Sequence, residues 1–414
     1  MFNFYFTETM KSFLWVSLFS SKTYNGSKGS LHMLDTETYN LFRESVKEFA
    51  KREVMPIAVK MDREDYFPID VFRKMGKAGF LGTTITEEFG GSNIGYESQA
   101  IIEEELGYYS PSLALSYGAH SNLCLDNLFR NGSEEIRRNF VPKLASGEWL
   151  GSLCLTEPSS GSDALAMKTH AEKNGDHYVL NGSKTFITNA PYADLFLVYA
   201  RTGTEYTAFV VLSGDEGFSR GKKFDKMGMR GSPTGEIFFD NIKLGSDRVV
   251  GGPGNARNII LSGLNAERVI LSFIFNGISR RSLEIAIDYS INRKQFGQPI
   301  SNFELIQEKL AIMYTKLETS RLLCGKALRT LDTDRMDVLS AASAIFYAAE
   351  SAEYISREAI QILGGVGYIR EGEVERLLRD AILGQIGAGT TEIRKKLISA
   401  SLVKRYKEKG NMED

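Results

Sequence analysis

Apolar positions recur with a helical period along most of the chain, interrupted once by a stretch of strand-like runs. From Asp35 to about Trp149 the pattern is mainly helical: Phe42, Val46 and Phe49 share one face, and Met55-Pro56 marks a kink or break. The segment TEEFGGSNIGY (86–96) reads as a glycine-rich loop. From about Gly151 to Val250 short β-rich runs take over, among them HYVL (177–180), LFLVYA (195–200), YTAFVVL (206–212) and EIFF (236–239). Asn174-Gly175 and Asn181-Gly182 are turn signals between such runs. Beyond Gly254 the helical period returns, and Ser301 with Glu304 forms a capping-box pattern before Phe303, Ile306, Leu310, Met313 and Leu317. Four or so long helices there predict a bundle. The expected organisation is a helical domain over 35–150, a β domain over 151–252 and a helical bundle over 253–414, with residues 1–34 as an appendage.

One position breaks an apolar stripe. Ile260, Leu264, Glu267, Leu271, Ile274 and Ile278 step by four, three, four, three and four, so Glu267 faces a core or a pocket. An ionised group there is costly unless a partner or a reaction uses it. Taken alone, such a carboxylate is more commonly one paired with an arginine than a catalytic group.

Bulk properties narrow the field. At 414 residues and 43% hydrophobic content the chain can build several cores. Fifty basic against 52 acidic side chains give a net charge of -2, which offers no global field for nucleic acid or an anionic membrane. Cys124, Cys154 and Cys324 are too few and too scattered for a disulfide framework, and with four histidines no metal-ligand spacing emerges. A reducing compartment and no metal are expected. The leader's apolar run from Phe13 to Phe19 falls short of the ~20 residues a bilayer span needs, so no membrane insertion is expected. The leader reads as a cleaved organelle-targeting piece or as a disordered segment.

Several short segments suit a nucleotide-like cofactor, although each has a plainer explanation. LCLTEPSSGSD (153–163) offers hydroxyls and uncovered backbone amides, yet Ser/Gly/Pro clusters are usually surface turns. KTFIT (184–188) supplies an aromatic wall and a hydroxyl, or simply core. GSKT (182–185) lacks the spacing of a phosphate-binding loop, and no G-x-G-x-x-G follows a strand, so neither an ATPase nor a Rossmann site is supported. GGPGNA (251–256) is a linker. RKQFGQPI (293–300) places a fixed charge and an aromatic at a turn between helices, suited to phosphate and adenine or to a solvated helix end. QILGGVGY (361–368) ends a helix in glycines, where backbone can approach a flat ligand or merely cap.

In order, TEPSSGSD, KTFIT, KMGMRGSPTGEIFFD, RKQFGQPI, QILGGVGY and LLRDA…GAGTTEIR resemble the acyl-CoA dehydrogenase flavoproteins from about residue 35 to 405. The resemblance implies an α+β multidomain fold: an all-helical first domain, a β-barrel-like middle domain and a C-terminal four-helix bundle. It implies a homotetramer with FAD, an acyl-CoA substrate and an electron-transferring flavoprotein as acceptor, in a mitochondrial matrix or a bacterial cytoplasm. SYGAHSNLC (116–124), GLNAERVIL (263–271) and IGAGTTE (386–392) are similar to the isovaleryl-CoA branch, whose reaction yields 3-methylcrotonyl-CoA in leucine catabolism. Many relatives carry the catalytic Glu directly before the Gly-Thr of the last motif; here that position is Ala388, and the branch maps its base onto Glu267.

By the same resemblance, Leu153, Leu155, Thr156, Gly161 and Ser162 with Phe186, Ile187 and Thr188 contact the flavin half of FAD. Arg293 and Phe296, joined by Gln361, Gly364 and Gly365, reach the FAD of a neighbouring subunit; Glu304, Thr390 and Glu392 belong to the same cofactor set. Ser162, Asn265, Ala266, Arg268, Leu271, Ala388 and Gly389 line the substrate, with the Ala388 N–H and a ribityl hydroxyl of FAD aimed at the thioester oxygen. Three positions depart from the family pattern: Asn265 stands for Asp, Glu304 for Gln and Phe186 for Trp.

Overall fold

The computed structural model describes residues 34–331 and 337–411. The leader of residues 1–34 lies outside the described residues except for Leu34, whose amide donates to Glu97 at 2.6 Å. The first helix, α1 (Thr36–Phe49), opens on Asp35, whose side chain caps the Thr38 amide, and buries Phe42, Val46 and Phe49 as their spacing requires. Around Met55-Pro56 the helix gives way to a π turn (Ala50–Val54) and a 3-10 turn (Met55–Ile57), because proline removes a donor from the ladder. Helix α2 (Tyr96–Tyr109) is buried on every side over Tyr96–Tyr108, and α3 (Pro111–Gly118) runs directly into a second π segment, Ala119–Asp126.

The middle region is one eight-stranded sheet. Its strands are β1 (Gly151–Cys154), β2 (His170–Asn174), β3 (His177–Thr188), β4 (Leu195–Thr202), β5 (Glu205–Leu212), β6 (Phe218–Lys223), β7 (Thr234–Gly245) and β8 (Val249–Val250). They run β6-β7-β3-β2-β4-β5-β8, with β1 parallel to β4; β6 and β8 each pair with a single neighbour. The four β-rich runs all fall in strands, and Asn174-Gly175 does turn between β2 and β3. Asn181-Gly182 does not. Strand β3 continues through it with a register shift against β7, and Gly182 has φ +141 with Thr169 so close that a Cβ would lie 2.6 Å from its Oγ1. A bulge and a hairpin turn both call for a permissive backbone, which is why the dipeptide misleads.

Four long helices form the final bundle: α4 (Ala256–Asn292), α5 (Glu304–Thr330), α6 (Val338–Leu363) and α7 (Thr391–Lys409), with the short α8-like piece Val374–Ile382 packed on α6. The expected capping box is absent, since Ser301 lies in a 3-10 turn (Ile300–Asn302) and α5 starts after Phe303 with no side-chain cap. Helix α4 is long and apolar enough to cross a bilayer, but it is a core helix packed against α2, α5 and α6. Two glycines let α2 and α4 touch backbone to backbone: a Cβ on Gly107 would lie 2.8 Å from the Ile274 carbonyl, and one on Gly277 2.4 Å from that of Glu104. This close crossing brings the acidic run of α2 beside the helix that carries Glu267.

A polar clasp ties the three regions together. Arg379 donates to both carboxylate oxygens of Asp62 at 2.7 and 2.6 Å, to Glu375, and to the Met227 carbonyl, while the Met229 amide donates to Asp380. Such bidentate contacts fix orientation as well as adding energy.

Candidate active site

Glu267 stands where α2, α3, the Ala119–Asp126 π segment, the end of β3 and α4 converge. It lines a cavity of about 40 Å3 together with Thr188, Ile270 and Leu271. The remaining wall comes from Glu103 of α2 and from Leu115, Gly118, Ala119, Asn122 and Leu123. The π segment contributes three of these, consistent with the tendency of such irregular turns to occur at functional sites.

Among the described residues Glu267 has no hydrogen-bond or ion-pair partner, which removes the plain structural explanation for its place in the stripe. Burial pushes its carboxyl up to about 7, against the pull of Arg268 and Arg394. Those two arginines are occupied elsewhere. Arg268 donates to the Asn265 side chain at 2.8 Å and to the Ala388 carbonyl at 3.3 Å, and Arg394, fully buried, donates to the carbonyls of Gly384 and Gly387. Together they clamp the turn that carries Ala388 and Gly389, both at positive φ (+54 and +89). A non-glycine residue in that region stores backbone strain of order 1–3 kcal/mol, held by its surroundings. The Ala388 N–H makes no hydrogen bond among the described residues and so is free to donate.

Of the residues expected at a flavin, Thr188 shares the cavity wall with Glu267. Leu153 and Leu155 lie on and just after β1, Leu155 and Ile187 being buried, while Thr156 is half-buried. Gly161 and Ser162 are exposed, and a Cβ on Gly161 would meet nothing within 4 Å. Phe186 is 66% exposed at φ +57, at the second register shift of β3, with its ring stacked on Phe224 at 5.0 Å. A bare aromatic face held out at a strained bulge, beside hydroxyls and uncovered backbone, fits a flat ring ligand.

The other expected cofactor residues form a separate group. Arg293 follows α4, Glu304 begins α5, and Gln361, Gly364 and Gly365 end α6, so all lie at one end of the bundle. Phe296 is 93% exposed at the tip of a small hairpin, and Gly364 and Gly365 have open space around them. Along α4, Arg293 is about 40 Å from Glu267 at 1.5 Å per residue. Thr390 caps α7 by accepting from the Ile393 amide, and Glu392 is exposed in the first turn of that helix. Asn265, Ala266 and Leu271 are buried beside the base.

Sequence reasoning missed Glu103, Asn122 and Arg394. It also missed the buried pair of Lys184 with Glu157 (2.9 Å), whose lysine lies two residues before Phe186 in β3. GSKT therefore holds a structural lysine.

Profiles of the acyl-CoA dehydrogenase N-terminal, middle and C-terminal domains match residues 36–148, 152–242 and 257–403. The chain belongs to the acyl-CoA dehydrogenase family and is an FAD-dependent enzyme of that class. Among its relatives, the mitochondrial isovaleryl-CoA dehydrogenase of Solanum tuberosum is 42% identical over 91% of this chain and 93% of that protein. A mitochondrial 2-methylacyl-CoA dehydrogenase from the same plant is 41% identical over 91% and 93%. The butyryl-CoA dehydrogenase structure from Megasphaera elsdenii superposes with a TM-score of 0.87 at 33% identity, covering 90% of this chain and 99% of that one.

Proposed function

We propose that this enzyme dehydrogenates a short branched acyl-CoA, isovaleryl-CoA first, to the 2-enoyl thioester, which for isovaleryl-CoA is 3-methylcrotonyl-CoA. The observation that carries the reading is the Glu267 carboxyl on the wall of the small cavity, bonded to neither of the guanidinium groups whose charge it feels. Glu267 takes the proton α to the thioester carbonyl. An α-hydrogen of a thioester is a weak acid, so charge growing on the carbonyl oxygen needs an aimed donor, and the free Ala388 N–H serves. Arg268 and Arg394 keep that peptide in place. The chemistry that FAD would supply when bound is acceptance of a hydride from the β-carbon. A substrate that expels water from the cavity raises the Glu267 pKa further and makes it a stronger base.

A cavity of this size supports a short acyl chain over an octanoyl one. A 2-methyl-branched substrate is the second reading, favoured by the near-equal identities to the two plant proteins. The large separation of Arg293 from Glu267 supports the neighbouring-subunit role of Arg293, Phe296, Gln361, Gly364 and Gly365, and with it a homotetramer. Electron-transferring flavoprotein is the proposed acceptor. The proposed compartment is the mitochondrial matrix in a eukaryote, the plant relatives being named mitochondrial, and the cytoplasm in a bacterium. Anaerobic mixing with a panel of acyl-CoA thioesters tests the reading: isovaleryl-CoA bleaches the flavin fastest, and preference for octanoyl-CoA defeats it. Glu267→Gln retains FAD and loses bleaching; unaltered reduction kinetics would remove Glu267 from the role.

A further inference from the structure

The cavity contains a second carboxyl that the dehydrogenation does not use. Glu103 is fully buried, and neither Oε1 nor Oε2 has a hydrogen-bond partner. Its neighbours on α2 differ: Glu104 and Glu105 are paired with Arg43, Arg280 and Arg321. Glu103 turns instead against Gly118, where an added Cβ would lie 2.4 Å from Oε1. Burial without a cation pushes its carboxyl well above the usual range and favours the protonated form, which offers both an O–H and an acceptor oxygen. Asn122, on the same wall, donates its amide to Gln99 at 2.9 Å and leaves Oδ1 unpaired. Buried polar atoms are nearly always satisfied, so two unsatisfied groups on one cavity wall point to a ligand that satisfies them.

We propose that Glu103 and Asn122 form a polar end to the acyl pocket, selecting short branched acyl thioesters that carry a hydroxyl at the distal end of the chain over the plain hydrocarbon. This rests on reading the cavity as the acyl pocket. A single hydroxyl can accept from the Glu103 O–H and donate to Asn122 Oδ1. Isovaleryl-CoA has the right skeleton but leaves both atoms unpaired. Sites built to bond a substrate hydroxyl discriminate against the analogue without it far more strongly than hydrophobic pockets discriminate by size.

The test compares isovaleryl-CoA with freshly prepared 4-hydroxy-3-methylbutanoyl-CoA in anaerobic flavin reduction and steady-state turnover. The wild-type holoenzyme is expected to favour the hydroxylated thioester by roughly 10- to 100-fold in kcat/KM. Glu103→Met removes that preference and improves isovaleryl-CoA, while Glu103→Gln, which keeps a donor and an acceptor, retains part of it. Retained flavin absorbance shows that each variant is folded, and the wild-type ratio needs no variant. A wild-type ratio near one, unchanged by Glu103→Met while isovaleryl-CoA still turns over, overturns the inference and leaves the proposed function standing. Failure of every short acyl thioester to bleach the wild-type flavin defeats both.

Discussion

Replacing Arg268 by Gln should move the pH dependence of flavin reduction toward alkali. The Glu267 carboxyl sits at about 7 because desolvation outweighs the pull of Arg268 and Arg394. Removing one nearby cation releases roughly 1–3 units of that pull. The same size follows from Coulomb's law: a pair about 6 Å apart at an effective dielectric near 20 interacts by ~3 kcal/mol, or about two units. The base works only when ionised, so the rate climbs as pH rises through the pKa. A shift of one to two units cuts the ionised fraction at pH 7 from about a half to about a tenth or a hundredth, and slows reduction roughly 5- to 50-fold. The loss shrinks as pH rises, and at pH 9 the variant's carboxyl is about half to nine-tenths ionised. Arg268 also holds the Ala388 carbonyl and Asn265, so its removal lowers the plateau as well; the midpoint alone reports the charge. Arg268→Lys keeps the charge and should keep the midpoint while losing the two-pronged geometry. Stopped-flow reduction by isovaleryl-CoA between pH 6 and 9.5 is the assay. A midpoint that stays put in Arg268→Gln, or moves toward acid, refutes the electrostatic account of Glu267.

Lys184→Met strips the partner from Glu157 inside the sheet, where both side chains are almost completely buried. Breaking such a pair costs about 3–5 kcal/mol, read by scanning calorimetry as a Tm loss on the order of 10 °C; an unchanged Tm contradicts the role given to it. Arg379→Ala undoes the clasp on Asp62, Glu375 and the Met227 carbonyl. Limited proteolysis should then cut between β6 and β7 several-fold faster than in the wild type, and equal rates tell against the clasp.

The legible parts of the sequence were those with contrast. Glu267 stood out because α4 carries one apolar stripe in which a single charged residue is an anomaly. Glu103 could not stand out, since α2 is buried all round and has no polar face against which a buried acid is unexpected. The strands read well because their alternation sits between turn signals, and Asn181-Gly182 misled because a bulge uses the same dipeptide chemistry. Ser301 and Glu304 had capping spacing, but the preceding 3-10 turn moved the helix start to Glu304 itself. Arg394 was invisible for another reason. Its partners are carbonyls, which every residue possesses, so no pattern of side chains announces them.

A base on α4 rather than at position 388, as proposed for Glu267, would separate two tasks that one loop would otherwise share. A helix packed on both sides holds a carboxylate more rigidly than a strained turn does. A larger side chain at 388 would also have to tolerate φ +54, which costs more as the side chain grows. With Ala388 there, the turn presents only its N–H, fixed from behind by Arg268, while Glu267 approaches from the helix. Proton removal and oxygen stabilisation would then depend on different elements, joined through Arg268 and Arg394. A change in Arg268 therefore touches both tasks, whereas a change in Glu267 leaves the donor turn intact, and Glu267→Gln should still bind the thioester that it cannot oxidise.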